Sequence, residues 1–246
     1  MIANRTSVMW LGMLAALASV GADPASAYSP LVLPTDTESA QRCMQAQKYI
    51  KQQAWPQAIR LLQTILDRKE DSFIEFEGKV VSARTEANKL LGSLPEAAHK
   101  EYQRMCGKEA SQLLEKGLKN SDPDIIASVA YRYLHTEAGA RAVEWLGTRY
   151  LDRGQSLAAA LCFQRRLDLK HRPPEAMIYV KAIIAYRRTG DELPARTAWQ
   201  ALEARVGKKR LAIGERQLTL EELKKELENI KPIHGPDWPL FRGEFQ

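Results

Sequence analysis

The chain has only three cysteines in 246 residues, and none stands in a Cys-x-x-Cys spacing. That spacing is typical of zinc and redox sites, so the cysteines predict neither chemistry. An odd number of thiols cannot all pair within one chain, which leaves the disulfide state of Cys43, Cys106 and Cys162 open. Cys162 precedes Phe163 in a predicted helix, where a small buried thiol is the usual arrangement.

Local motifs for catalysis and cofactor binding are also missing. The sequence contains no Gly-x-Ser-x-Gly, His-Glu-x-x-His, Gly-x-Gly-x-x-Gly or phosphate-binding Gly-x-x-x-x-Gly-Lys-Ser/Thr motif. We therefore expect a non-catalytic protein with no catalytic residue, no metal ligand and no cofactor. His135 has no second His or Cys within four residues, and we interpret it as a structural histidine rather than a ligand or a catalytic base.

No apolar run is long enough to span a bilayer, which needs about 20 residues. The run Val8–Val20 has 13 residues, follows the basic start Met1–Arg5 and precedes Ala25-Ser26-Ala27. This order predicts a secretory signal peptide over residues 1–27, cleaved after Ala27. No Cys follows closely enough for a lipid anchor, so we expect a periplasmic or secreted chain with no integral membrane span, beginning with a linker over residues 28–35.

Charge is mild, with a formal net charge of +6. Two basic clusters could meet phosphates or an anionic surface, but we interpret them as solvated helix ends, where the helix dipole favours cations. Export disfavours nucleic acid as a partner. A group of carboxylates lacks the spacing of a calcium loop, and we interpret it as solvated charge at a helix start. The basic residues are Arg165, Arg166, Lys170, His171 and Arg172, then Lys208, Lys209 and Arg210; the acidic ones are Glu70, Asp71, Glu75 and Glu77.

One five-position pattern occurs three times with the same offsets of +3, +4, +5 and +4. Positions three and four apart share a helix face, so each copy predicts a helix, a turn and a second, antiparallel helix. Any amphipathic hairpin can show part of such a pattern, but three coincident copies favour a repeat array. The copies are Ala46, Tyr49, Gln53, Ala58, Leu62; Gly147, Tyr150, Gly154, Ala159, Phe163; and Ile183, Tyr186, Gly190, Ala195, Trp199.

These residues resemble the tetratricopeptide repeat in type and spacing. The resemblance implies an all-α fold, a tetratricopeptide-like array of helical hairpins (α-solenoid) over residues 36–206. Between the first and second copies there is room for two more units, in which no clean copy occurs. We expect a hairpin over residues 37–68, a helix over 78–91, one or two helices over 95–119 broken near Gly107, and a helix starting at Ser121-Asp122-Pro123.

No convincing strand pattern precedes residue 207. Residues 207–231 predict a short irregular or two-stranded excursion and a final helix, which starts with a capping box at Thr219 and Glu222 and runs to about residue 230.

The sequence Trp238-Pro239-Leu240-Phe241-Arg242-Gly243 resembles the start of pyrroloquinoline-quinone-like (PQQ-like) β-propeller repeats. With Gly92–Pro95, Tyr133–Gly139 and Leu151–Gly154, it makes residues 36–246 similar to the helical N-terminal region of exported propeller proteins of planctomycete type. Residues 232–246 are then the start of a truncated or absent β-propeller. Either the chain is a fragment, or the helical region acts alone.

The resemblance implies a non-catalytic scaffold for protein–protein or interdomain docking in the cell envelope. Its expected partner is a protein or peptide, such as a β-propeller domain. No residue matches the cofactor sites of such propellers, so their activity does not carry over. Two alternatives remain: an accessory half of a quinoprotein-type propeller enzyme, and a periplasmic outer-membrane assembly factor, the latter disfavoured by the missing lipid-anchor cysteine.

Overall fold

The computed structural model describes residues 34–232, so the predicted signal peptide and the propeller-like sequence from Trp238 to Gly243 lie outside the described residues. The described part is mostly helical, as predicted, with ten helices and two small antiparallel sheets. In chain order the elements are α1 Thr37–Lys51, α2 Trp55–Leu66, β1 Phe73–Phe76, β2 Lys79–Ser82, α3 Ala83–Gly92, α4 Glu96–Lys119, α5 Pro123–Arg132, α6 Glu137–Asp152, α7 Ser156–Leu167, α8 Ala176–Thr189, α9 Glu192–Val206, β3 Leu211–Ile213, β4 Arg216–Leu218 and α10 Leu220–Glu228.

The three copies of the sequence pattern each place their third residue at a tight turn between two helices. Gln53, Gly154 and Gly190 have φ of 59°, 73° and 80°, the left-handed region that allows the chain to reverse within a few residues. The same hydrogen bond closes each turn, because the amide five residues after the pattern's Tyr donates to the Tyr carbonyl. These bonds are Ala54 N to Tyr49 O at 2.9 Å, Gln155 N to Tyr150 O at 2.9 Å and Asp191 N to Tyr186 O at 2.8 Å.

The small and large positions of the pattern meet where the helices pack. Ala58, Ala159 and Ala195 are buried. A Cβ added to Gly147 would lie 2.9 Å from Cε1 of Phe163, so α6 and α7 can approach this closely because position 147 has no side chain. Ala46, Leu62, Phe163 and Tyr186 are buried as well, whereas Tyr49, Tyr150 and Trp199 are half-buried.

A fourth turn of the same kind joins α4 to α5. Ser121 has φ of 52°, and the amide of Asp122 donates to the carbonyl of Gly117 at 2.9 Å, five residues back. Here Gly117 stands where the other copies have Tyr, and the buried Ile126 stands where they have Ala. An added Cβ on Gly117 would lie 2.8 Å from Cγ1 of Ile126. The large and small partners have exchanged helices, which hides this copy from a search by residue size.

The first sheet contradicts the prediction that no strand precedes residue 207. Phe73, Ile74, Glu75 and Phe76 alternate between exposed and buried, which is the period of a half-buried strand. The turn to β2 uses Glu77 and Gly78, with φ of 50° and 74°. Strand β1, Phe73–Phe76, pairs antiparallel with strand β2, Lys79–Ser82. The carboxylates assigned to a helix start therefore border a hairpin, and α3 begins only at Ala83.

Helix α4 is continuous through Gly107, contrary to the predicted break. An added Cβ at Gly107 would meet the side chain of Gln103, which covers this glycine. A single glycine costs a helix only about 1 kcal/mol, which packing of the helix offsets. The excursion predicted after residue 207 is present as the two strands β3 and β4, and the capping box between Thr219 and Glu222 is confirmed.

Buried apolar side chains form two clusters along the chain. The first is built from residues of α1 to α6 with β1, and the second from residues of α7 to α10 with β4. Tyr150 packs against both clusters. Within residues 34–232, no helix combines the length and the apolar character that crossing a membrane requires.

Candidate functional site

Three histidines converge although they are far apart in sequence. His99 lies in the first turn of α4, His135 two residues before α6, and His171 in the connection from α7 to α8. Successive members are 36 residues apart, the same distance that separates Gly154 from Gly190. One ring nitrogen from each lies within 4.8 Å of those of the other two. We call these residues the histidine cluster.

The rings are in direct contact. His99 and His171 stack with centroids 3.6 Å apart and planes inclined by 8°. His135 is tilted against both, with centroids 5.4 Å from His171 and 6.0 Å from His99. His99 and His135 are buried, and His171 is half-buried. The cluster is therefore a packed group shielded from solvent.

Backbone carbonyls orient each ring. His135 Nε2 lies 2.9 Å from the Asn88 carbonyl oxygen, so it donates and Nδ1 carries the lone pair. The carbonyl of His135 lies close enough to His171 to raise its pKa, and those of Gly92 and Leu94 raise the pKa of His99. Each ring also keeps one buried nitrogen without a protein partner: His99 Nδ1, His135 Nδ1 and His171 Nε2.

The cluster is uncharged at neutral pH. Burial, followed by the neighbouring rings, lowers the pKa of His135 to about 3 and that of His171 to about 4. Burial and then the Arg172 guanidinium lower the pKa of His99. Three neutral imidazoles therefore bring one ring nitrogen each to within 4.8 Å of the others.

Two guanidiniums lie beside the cluster and are held by other groups. Arg166 is buried, and its Nε donates to Glu144 Oε1 at 2.6 Å while its Nη1 donates to the Arg172 carbonyl at 2.6 Å. Arg172 Nη2 donates to Gln103 Oε1 at 3.1 Å. The prediction that this basic stretch is a solvated helix end is wrong for Arg166, because its buried ion pair ties α7 to α6.

A cleft of about 670 Å³ borders His135. Its walls come from α3, the end of α5 and the connection after α7, and they carry charges of both signs. A Cβ on Gly92 would lie 3.0 Å from Cε1 of His135, so the ring fits against bare backbone. Among the residues lining this cleft are Asp71, Arg84, Asn88, Lys89, Arg165 and Asp168.

A second cavity of about 560 Å³ lies along α4, α6 and α8, the first helices of three successive hairpins. We call it the α4–α6–α8 groove. Its floor is apolar and aromatic, and the Arg149 guanidinium carbon lies 5.1 Å from the centroid of Trp145. Its lining residues are Leu114, Leu118, Arg141, Glu144, Trp145, Thr148, Arg149, Asp152, Arg153, Ile178 and Lys181.

The groove is basic. Four of its side chains are cationic and two are anionic, and the Glu144 carboxylate is already paired with Arg166. Lys181 Nζ donates to Thr148 Oγ1 at 3.0 Å, and Arg149 Nε is buried with no partner among the described residues. Such a surface favours a partner segment that carries both anionic and apolar side chains.

The three thiols take no part in either site. They are free, and burial raises the pKa of Cys43 and of Cys106 to about 12. Burial also raises the pKa of Cys162. All three are therefore protonated at neutral pH and are weak nucleophiles.

The helical residues of the repeat pattern are buried or half-buried, and its turn residues Gln53, Gly154 and Gly190 are exposed. None of the pattern residues belongs to the histidine cluster or lines the groove. The histidine cluster was not predicted from the sequence, because no other His or Cys lies within four residues of His135. The usable signal was the constant spacing of 36 residues, which equals the distance from Gly154 to Gly190.

Comparisons with protein-family models, with curated proteins and with solved structures found no match for this chain.

Proposed function

We propose that the protein is a non-catalytic, exported helical-repeat scaffold that docks an acidic protein segment in the α4–α6–α8 groove. The observation that carries this proposal is the groove itself, where α6 and α8 present cationic side chains around Trp145 and α4 adds Leu114 and Leu118. Export is supported by the signal-peptide pattern of residues 1–27.

A tetratricopeptide-like arrangement supports this reading of the groove. Four helix pairs share the same turn geometry, and in three of them the first helix contributes to the groove. Stacked hairpins of this kind offer a long, rigid surface for a peptide or a neighbouring domain.

The occupant that fits is an extended or helical segment with carboxylates around one large apolar side chain. Its carboxylates would meet Arg141, Arg149, Arg153 and Lys181, and its apolar side chain would pack on Trp145. A loop of a β-propeller domain, in the same chain or in a partner, is the source implied by the sequence resemblance. An accessory role beside a propeller enzyme would use the same contact.

The test compares two fluorescent peptides, one with Asp and Glu flanking a Phe and one with Asn and Gln in their place. Binding to residues 28–246 is followed by anisotropy and by Trp fluorescence. Only the acidic peptide is expected to bind, with an affinity that falls with salt.

Charge reversal identifies the groove. Arg149→Glu or Lys181→Glu should weaken binding of the acidic peptide by about 1–2 kcal/mol, because an attraction between charges is replaced by a repulsion. Arg60→Glu is the matched control, an exposed position on α2, which contributes nothing to the groove. Equal affinity for both peptides, or equal effects of Arg149→Glu and Arg60→Glu, would refute this assignment.

A further inference from the structure

We propose that His99, His135 and His171 form a binding site for one transition-metal ion, with Zn²⁺ as the best match. The inference starts from the convergence of three ring nitrogens within 4.8 Å, contributed by three successive helical units. It is independent of peptide docking in the α4–α6–α8 groove, since none of the histidines lines that groove.

The donor set selects the class of metal. The cluster offers imidazole nitrogens alone, without a carboxylate or thiolate. Calcium and magnesium require oxygen ligands, whereas imidazole suits zinc, copper and nickel. Zinc sites with three histidines and one exchangeable fourth ligand are a common arrangement, and Zn²⁺ imposes no strict angular preference.

Each ring is held as metal-ligating histidines are held. In such sites the nitrogen that does not bind the metal donates to a carbonyl or carboxylate, which fixes the tautomer. Here the Asn88 carbonyl accepts from His135 Nε2 at 2.9 Å, and the carbonyls of His135 and of Gly92 and Leu94 lie close enough to raise the pKa of His171 and of His99, respectively.

The remaining nitrogen of each ring needs a partner. His99 Nδ1, His135 Nδ1 and His171 Nε2 are buried without one, and burying an unpaired polar atom destabilises a fold. A single cation between these three nitrogens would accept a lone pair from each of them. Hydrogen bonds among the three nitrogens cannot do this, because none of them carries a proton to donate.

Binding requires a small rearrangement. Tetrahedral ligation at about 2.0–2.1 Å places ligand nitrogens about 3.4 Å apart, closer than the 4.8 Å limit of the present cluster. Because ring lone pairs lie in the ring plane, the stacked rings of His99 and His171 must also tilt apart. His171 lies in a connection between helices, where the backbone can follow this movement.

The charges around the cluster oppose a dication and favour an anion as the fourth ligand. Arg172 directly follows His171 in the chain, and Arg166 Nη1 donates to the Arg172 carbonyl at 2.6 Å, so two guanidiniums lie near the site. A hydroxide or chloride on the metal would offset their positive charge.

The experiment uses residues 28–246 without an affinity tag, stripped with EDTA and titrated calorimetrically with Zn²⁺. Cobalt(II) serves as a second probe, because tetrahedral Co²⁺ absorbs strongly in the visible range. We expect one ion per chain. His171→Gln should weaken binding by at least the 10–100-fold that losing an outer-shell partner typically costs. His234→Gln, which removes the fourth and last histidine of the sequence, is the matched control and should bind normally.

Zinc-edge X-ray absorption of the unmutated protein keeps the proposal testable if His171→Gln does not fold. Three imidazoles and one light ligand are expected in the coordination shell. The proposal is overturned if stoichiometric Zn²⁺ binding is absent or if His171→Gln binds Zn²⁺ as tightly as the unmutated chain. It is also overturned if the zinc coordination shell contains only sulfur or only oxygen ligands.

Discussion

At the residue scale, Asp36 shows how one side chain joins two ends of the first hairpin. Its carboxylate caps α1 by accepting from the Ser39 amide at 3.0 Å, and it also accepts from Arg68 Nη1 at 2.5 Å and Ser72 Oγ at 3.0 Å. The hydrogen bond from the Ser39 amide is the main cause that lowers the pKa of Asp36 to about 2, with smaller contributions from the side chains of Ser39, Ser72 and Arg68.

Asp36 should therefore stabilise the fold in a pH-dependent way. Its pKa is lower folded than unfolded, so its contribution is complete above about pH 4 and is lost as the pH falls towards 2. Asp36→Ala should cost about 1–2 kcal/mol at pH 7, measured by urea unfolding, because a helix cap and an ion pair are lost. Asp36→Asn keeps a capping oxygen and should cost less.

Both Asp36 variants should lose less stability between pH 4 and pH 2 than the unmutated chain. An identical loss in all three proteins would contradict the assigned role of the carboxylate.

At the element scale, the α4–α5 turn tests whether geometry or residue identity defines the repeat unit. Gly117→Ala should destabilise the protein by about 1–3 kcal/mol, since the new Cβ would lie 2.8 Å from Ile126. Ile126→Ala alone should cost about 2–5 kcal/mol by leaving a cavity.

The double variant Gly117→Ala with Ile126→Ala should be more stable than the sum of the single effects predicts, because the smaller side chain removes the closest contact of the new Cβ, that with Ile126 Cγ1. A double-mutant cycle by chemical denaturation measures this coupling. Strict additivity would mean that the two positions do not share this space.

The element scale also shows what the sequence could and could not predict. The caps at Asp122 and Thr219 were predictable, because a side-chain oxygen three residues before a free amide acts locally. The strand Phe73–Phe76 was missed, since four residues carry a weak periodic signal and acidic neighbours suggested a helix start. The predicted break at Gly107 was wrong, because packing of the helix outweighs the low helix propensity of one glycine.

The histidine cluster and the fourth turn required tertiary information of two different kinds. Gly117 and Ile126 reverse the large-then-small order of Tyr and Ala in the other copies, so neither position matches the pattern. The histidines share a spacing but sit at different offsets from their helices, and only the fold shows that the rings meet.

At the scale of the whole molecule, the two apolar clusters predict that a destabilising substitution in one cluster affects mainly the helices of that cluster. If the hairpins behave as a linear array, each is stabilised chiefly by its neighbours. Phe163→Ala should then increase amide hydrogen exchange in α7, α8 and α9 more than in α1 and α2, because a large buried ring is lost from the second cluster.

Leu62→Ala is the matched control, since Leu62 occupies the same pattern position in the first hairpin and belongs to the first cluster. It should affect α1 and α2 most. Uniform exchange throughout both variants would indicate a single cooperative unit instead.

The histidine cluster lies near the starts of the three helices that line the α4–α6–α8 groove. The histidines lie at or just before the N-terminal ends of these helices, and the groove follows farther along them. A metal ion at the cluster would hold the starts of the three helices together. The angles between the helices would then be their main remaining freedom, and those angles set the width of the groove. A metal ion at the cluster would thus change peptide affinity without touching the peptide. By thermodynamic reciprocity, a bound peptide would change the affinity for the ion by the same factor.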